Sequence, residues 1–402
     1  MLHFEAETGQ KIEKEVSARK IFKMIAQNNW ETAEPGVLYQ DRINSWHLMS
    51  EYDNFEFAGV NPCAEEPLPA FGSCNLSSIN LSELVEKPFT KEAKFNVKRF
   101  KELIKDGVIY LNEILDENSK LHPLPEQREM SDNWRQIGLG ILGLADMFIK
   151  LGIRYGSDES IDLINKIGKI MINEALKTSA LLAKKQGTFP KYNEEKTLKS
   201  PFLLANADED TIELIKQYGL RNSQLLTIPP TGSTSALLGA SNGIEPLFQI
   251  SYTRKTESLF DEDTYYQVFT PVVKEYMNIH EIYKEENLPD YFVTTSNLDY
   301  KDRIRVQAAW QQYIDASISS TVNVPNEFTV EETEDLYMYA WEMGLKGTTI
   351  FRDGCFREGI LTTNKKTEKD ISTTEKNETE KKKEKKNIDI EIPGVHCVEC
   401  EI

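Results

Sequence analysis

An α/β fold with mostly parallel strands is predicted for this 402-residue chain from three observations. Long helical patterns recur, short apolar runs end at proline-containing turns, and the two alternate along the chain. Residues 18–28 form the first helix, where Ile21, Phe22, Met24 and Ile25 make an apolar patch ahead of the irregular Pro35-Gly36 segment. Further helical patterns cover 95–118, 136–152 and 158–186. The last lines up Ile161, Ile164, Ile167, Met171, Leu176 and Leu182 near one stripe, which should pack on a sheet or a barrel. Gln224–Ile228 before Pro229-Pro230, and Ser319–Val324 before Pro325-Asn326, read as buried strands. No internal repeat is present.

From about residue 363 the chain turns to Lys, Glu and Thr with almost nothing apolar. Such a stretch buries too little to offset its ordering entropy, so 363–390 is expected to be a disordered linker between a barrel-sized domain, 1–362, and a short tail, 391–402. The formal charge of -18 argues against nucleic acid or anionic membrane as partner, because phosphate-binding surfaces need clustered Lys and Arg. No run approaches a membrane span, and MLHFEAETGQKIEKE lacks the layout of an export signal, so a cytoplasmic protein is expected. Five cysteines is an odd count that suits reduced thiols better than a disulfide framework.

Four places carry candidate chemistry. Asn61-Pro62-Cys63-Ala64-Glu65 puts an amide, a thiol and a carboxylate at alternate positions, which an extended or finger-like backbone would point one way. A buried cysteine beside a surface glutamate is the plainer alternative. Cys74, nine residues past Glu65, suits thiol exchange or simple core packing. Pro230, Thr231, Gly232, Ser233, Thr234 and Ser235 form a hydroxyl-rich turn before a helix start placed near Ser235, where backbone N–H groups favour an anion such as phosphate, or where a polar cap merely ends a turn. Cys397 and Cys400 form a Cys-x-x-Cys pair on the tail, better read as redox thiols than as half a zinc site with His396. About 36 residues between the globular part and the pair give it a typical reach of roughly 30–35 Å. Cys355, without a sequence partner, is expected to be structural.

In this order, NPCAE, GSCNLSSINL, RQIGLGILGLADM, PPTGSTSALLGASNGIEP, SSTVNVPNE and the terminal CVEC resemble the large, catalytic subunit of ribonucleotide reductases. The resemblance implies the later half of a ten-stranded α/β barrel with an internal finger loop, followed by the redox tail. It implies that Cys63 becomes a thiyl radical that takes the ribose 3′-hydrogen and that Glu65 is the base for the 3′-hydroxyl. Asn61 would bond the ribose hydroxyls, and Cys74 would be one of two thiols that supply electrons and close into a disulfide. The 230–235 turn would hold the phosphates of a ribonucleoside diphosphate, and Cys397 and Cys400 would reopen the disulfide before being reset by a thioredoxin-like reductant.

The segments GIEPLFQISYTRK and TTIFRDGCFREGIL are more similar to class II enzymes, which draw their radical from adenosylcobalamin. Gly344-Leu-Lys-Gly lacks the following Tyr-Tyr pair through which class I subunits import a radical from a separate protein. The resemblance further implies an oligomer and an N-terminal half, with the dNTP specificity site and the partner of Cys74, that 60 residues cannot hold. A split or intein-interrupted gene, or a truncated sequence, is therefore expected. The rivals are a class I large subunit and a thiol-disulfide carrier using Cys397/Cys400.

Overall fold

The computed structural model describes residues 2–5, 9–256 and 264–356, with side chains at 9–11, 13–252 and 268–356. These residues belong to a compact unit, Met1–Glu358; the expected linker and the tail with Cys397 and Cys400 lie outside the described residues. The strands that matter here are β1 (Val37–Leu38), β2 (Gly59–Val60), β3 (Pro67–Leu68), β4 (Leu76–Asn80), β5 (Gly138–Leu142), β6 (Thr321–Val324) and β7 (Gly347–Arg352). The helices are α1 (Ala18–Thr32), α2 (Val97–Leu121), α3 (Leu144–Leu151), α4 (Asp158–Gln186), α5 (Gly232–Leu238), α6 (Tyr300–Gln311) and α7 (Val330–Glu342).

A row of five parallel segments forms the frame. β4 pairs with β5, Leu76 opposite Gly138. The extended segment 224–228 joins β5 through a parallel bridge between Leu139 and Leu226, and bridges onward from Ile228 to Ile318. The chain from Ile318 runs into β6, which pairs in parallel with β7, and β1 closes the edge in antiparallel sense. α2 lies between β4 and β5, α4 between β5 and 224–228, α6 between 228 and 318, and α7 between β6 and β7, so each parallel step is made by a helical crossover. That is a run of barrel staves. The segments 224–228 and 319–324 sit where the sequence placed buried strands, and Leu225, Leu226, Ile228 and Val322 are almost wholly buried.

Two sequence expectations change. Residues 136–152 are not one helix: Gly138–Leu142 is a strand, Gly143 turns the chain at φ +74°, and only Leu144–Leu151 is helical. Every residue of GLGIL is buried, so its hydrophobicity has no period to separate strand from helix. The second concerns α4, whose stripe holds as Ile164, Ile167, Met171 and Leu176 are fully buried. Its nearest partners, however, are helices α2, α6 and Glu209–Tyr218 instead of a sheet face. Ala175, Ser179 and Ala180 are buried along it, and such small side chains let helices approach closely. Ser157 caps its start by accepting from the Ser160 N–H, Asp158 and Glu159 face the positive end of the dipole, and Lys184 and Lys185 the negative end. No helix among the described residues is long and apolar enough to cross a membrane.

Candidate active site

Residues 61–66 close a short hairpin between antiparallel β2 and β3. The Ala64 N–H donates to the Asn61 carbonyl at 2.9 Å, making a turn with Pro62 second and Cys63 third, and Ala64 takes φ +65°. Asn61 holds the loop shut from both sides: its N–H donates to the Glu66 carbonyl at 3.1 Å and its Oδ1 accepts from the Glu66 N–H at 3.0 Å. Of the two backbones the sequence allowed for this segment, extended or finger-like, the structure has the finger-like one, a tight turn. Cys63 stands exposed at the tip while Glu65 is 3% exposed.

The base of the finger is pinned to two barrel segments. The Glu65 carbonyl accepts from the Ser317 N–H at 2.9 Å and from Thr227 Oγ1 at 2.7 Å. Its carboxylate keeps one buried oxygen, Oε2, without a partner. The Cys63 thiol is pushed above the ordinary cysteine value first by partial burial and second by the Glu65 charge. The Cys74 thiol is pushed up to about 11, by burial and then by the charges of Glu66, Glu65 and Cys63. Both thiols and both carboxylates thus share one field.

Sequence reasoning missed the polar floor beneath this loop. Glu66 is 2% exposed, and burial, together with the charges of Glu65 and Asp315, raises its carboxyl well above the usual range. Its Oε2 accepts from Gln224 Nε2 at 2.6 Å, and Gln224 Oε1 in turn accepts from Gln136 Nε2 at 3.1 Å. Asp315 accepts from the N–H groups of Leu225 at 2.8 Å and Leu226 at 2.7 Å, holding the 224–228 segment in place. Lys346 Nζ, also buried, donates to the carbonyls of Trp46, Asp315 and Ala316. Burial lowers Lys346 to about 7 and raises Asp315 to about 6. The readable signal was polar residues inside apolar runs, Gln224 and Thr227 in QLLTI and Asp315 and Ser317 in YIDASIS.

The hydroxyl-rich turn continues from the C-terminal end of 224–228, four residues past the Thr227 that grips Glu65. Open α/β layers carry sites at this end of their strands. Its helix, α5, starts at Gly232 and not near Ser235, with Thr231 as N-cap at φ +54°. Gly232, Ser233 and Thr234 are exposed. Ser235 is buried with its hydroxyl donating to the Gly232 carbonyl and to Asn242 Oδ1, and Thr231 Oγ1 accepts from the Gly243 N–H at 2.9 Å. These two residues brace the turn from inside.

The family model for the barrel domain of ribonucleotide reductase matches residues 2–351. The vitamin B12-dependent ribonucleoside-diphosphate reductase of Thermoplasma acidophilum is 32% identical over 367 residues, covering 88% of this chain and 45% of the relative. The enzyme of the same description from Mycobacterium tuberculosis strain CDC 1551 is 29% identical over 363 residues, 87% of this chain and 49% of the relative. The chain spans about half the length of the curated relatives it matches. Among solved structures, the class Id ribonucleotide reductase alpha subunit of Actinobacillus ureae superposes with a TM-score of 0.64 at 22% identity, covering 84% of this chain and 61% of that one, a likeness of fold.

Proposed function

The chain belongs to the ribonucleotide reductase family through its barrel domain, and from that premise we propose that it carries the thiyl-radical site for reducing ribonucleoside diphosphates to deoxyribonucleotides. The observation that carries this reading is an exposed thiol, Cys63, presented by a turn whose next carboxylate, Glu65, is buried with one oxygen unpartnered. A thiyl radical at Cys63 takes the hydrogen atom from C3′ of the ribose and returns it at the end. Glu65, through its free Oε2, accepts the 3′-hydroxyl proton as general base. Asn61 holds the turn by its Oδ1 and has its amide Nδ2 to offer the ribose hydroxyls. Loss of the 2′-hydroxyl as water consumes two electrons, which Cys74 and a second thiol supply by closing into a disulfide.

The N–H groups at the start of α5 and the hydroxyls of Ser233 and Thr234 receive the phosphates, with Pro230, Thr231 and Ser235 shaping the turn. Cys397 and Cys400 reopen the disulfide and pass the oxidation to a thioredoxin-like dithiol. Adenosylcobalamin is the proposed radical source, as the descriptions of the relatives suggest for those enzymes. Bound, it supplies an organic radical by homolysis of its carbon–cobalt bond. The exposure of Cys63 fits such a group, because a large external cofactor can reach the sulfur without moving the finger.

The test is CDP reduction with adenosylcobalamin and dithiothreitol, by this chain alone and with the polypeptide encoded upstream. Product that requires adenosylcobalamin is expected. Product only with a separate radical-generating protein would give the class I reading, and none under either condition would sink the assignment.

A further inference from the structure

Residues 241–245 follow the hydroxyl-rich turn and its helix in the same motif and take no part in the chemistry above, yet each of them is gripped from outside the run. The Ser241 N–H donates to Asp146 Oδ2 on α3 at 2.6 Å, and its carbonyl accepts from the Gly143 N–H at 2.8 Å. Asn242 Oδ1 accepts from the Ser235 hydroxyl, and the Gly243 N–H donates to Thr231 Oγ1 at 2.9 Å. The Ile244 carbonyl accepts from the Tyr155 hydroxyl. Glu245 pairs through Oε2 with Arg303 Nη2 on α6 and accepts from the Thr321 N–H on Oε1 at 3.4 Å. Its own N–H donates to the Asn242 carbonyl at 2.7 Å. The ion pair is therefore linked, through Asn242 and Gly243, to Ser235 and Thr231, the two residues that brace the turn.

Arg303 is 3% exposed, and its Nε and Nη1 are buried without an acceptor among the described residues. Its Nη2 alone is engaged, with Glu245 and, at 3.3 Å, with Ser320 Oγ. A buried ion pair that leaves two donors unmet is a poor source of stability, whereas fixing the register of the segment it holds is what such a pair does well. We propose that Arg303 and Glu245 are positioning residues for the substrate: their pair sets the 241–245 run, and with it the Thr231 and Ser235 brace, so that the first N–H groups of α5 meet the phosphates of a ribonucleoside diphosphate. The proposal rests on the phosphate role given to the turn above. α5 needs such support because Ser235 is its one buried residue, so little packing of its own holds it in place. Arg303 lies on the crossover between 228 and 318, and Ser320 and Thr321 lead into β6, so the pair ties the turn to the neighbouring stave.

The experiment measures binding of CDP and of cytidine by calorimetry, with the full chain and the polypeptide encoded upstream together. The double substitution R303M/E245L removes one positive and one negative charge at once, so the net charge is kept and no buried ion is left alone. Its urea midpoint should match or exceed that of the unsubstituted chain, while CDP binds about ten- to a hundredfold more weakly and cytidine binds as before. A lower midpoint with CDP and cytidine weakened alike would mark a merely structural pair and overturn the proposal, as would an unchanged CDP affinity. Should the double variant fail to fold, E245Q decides, because it keeps the shape of the side chain and loses the charge. A several-fold loss of CDP affinity with cytidine unaffected supports the proposal, and no loss overturns it. An unsubstituted chain that binds CDP no better than cytidine removes the phosphate role of the turn and this proposal with it. Preference for CDP that survives in the variants removes this proposal alone.

Discussion

Cys63 and Glu65 divide the labour by their exposure, one at the tip of a turn and one beneath it. Cys63→Ser should abolish deoxynucleotide formation, since an alcohol cannot carry the thiyl radical. Glu65→Gln keeps the shape and loses the base, so kcat should fall about 10²–10⁴-fold with thiol content unchanged, measured by product formation and thiol titration. A Gln variant of normal rate would remove Glu65 from the chemistry. His47 makes a stability prediction at the same scale. Its Nδ1 accepts from the Met49 N–H at 3.2 Å, its Nε2 lies 3.0 Å from the Asn44 carbonyl, and burial followed by the Lys346 charge lowers it to about 3. The unfolded chain therefore binds a proton that the folded chain refuses between pH 3 and 6.5. Stability is highest above that window and falls as pH drops through it, by at most about 1.4 kcal/mol per pH unit for this residue. Urea unfolding at several pH values should show a shallower acid slope in His47→Gln; equal slopes would mean that His47 titrates alike in both states.

At the scale of elements, β5 shows why a run of glycine and apolar residues is a strand here. A Cβ at Gly140 would stand 2.4 Å from the Thr227 carbonyl oxygen, a backbone atom that cannot turn aside. Only glycine lets β5 lie so close to the segment whose Thr227 grips the finger. Gly140→Ala should therefore destabilise by about 1–3 kcal/mol or more and displace the finger with it. Urea midpoints and the alkylation rate of Cys63 would report the two effects. An unchanged midpoint would show that the two segments separate at little cost. Asp315, which caps the N–H groups of Leu225 and Leu226, makes the same segment depend on a buried carboxylate. Asp315→Asn should cost about 1–3 kcal/mol by leaving a buried donor poorly met, read from the same unfolding curves.

For the whole molecule, five parallel segments joined by helical crossovers bring the finger, the strand ends and the hydroxyl-rich turn to one place. The proposed tail adds a thiol pair that the barrel does not contain. Replacing Cys397 and Cys400 together by serine should spare turnover driven by dithiothreitol and remove turnover driven by thioredoxin, in an assembly competent for reduction. Equal losses with both reductants would contradict the tail's assigned role.

The sequence by itself determined the α/β class, the long helices near 18–28, 95–118 and 158–186, two of the buried strands, and the motifs that nominate Asn61, Cys63, Glu65 and Cys74. These rest on local chemistry: apolar period, turn residues and neighbouring reactive side chains are written in consecutive positions. Tertiary structure alone decided that 138–142 is a strand, because a fully buried run has no period to read and its glycines answer to contacts with Glu66 and Thr227. It alone decided which hydroxyls of the 230–235 turn face inward, and that Glu66, Gln224, Asp315 and Lys346 form one polar floor. Residues up to 280 positions apart meet there, and the pKa of each is set by burial and by neighbours that no local pattern can name.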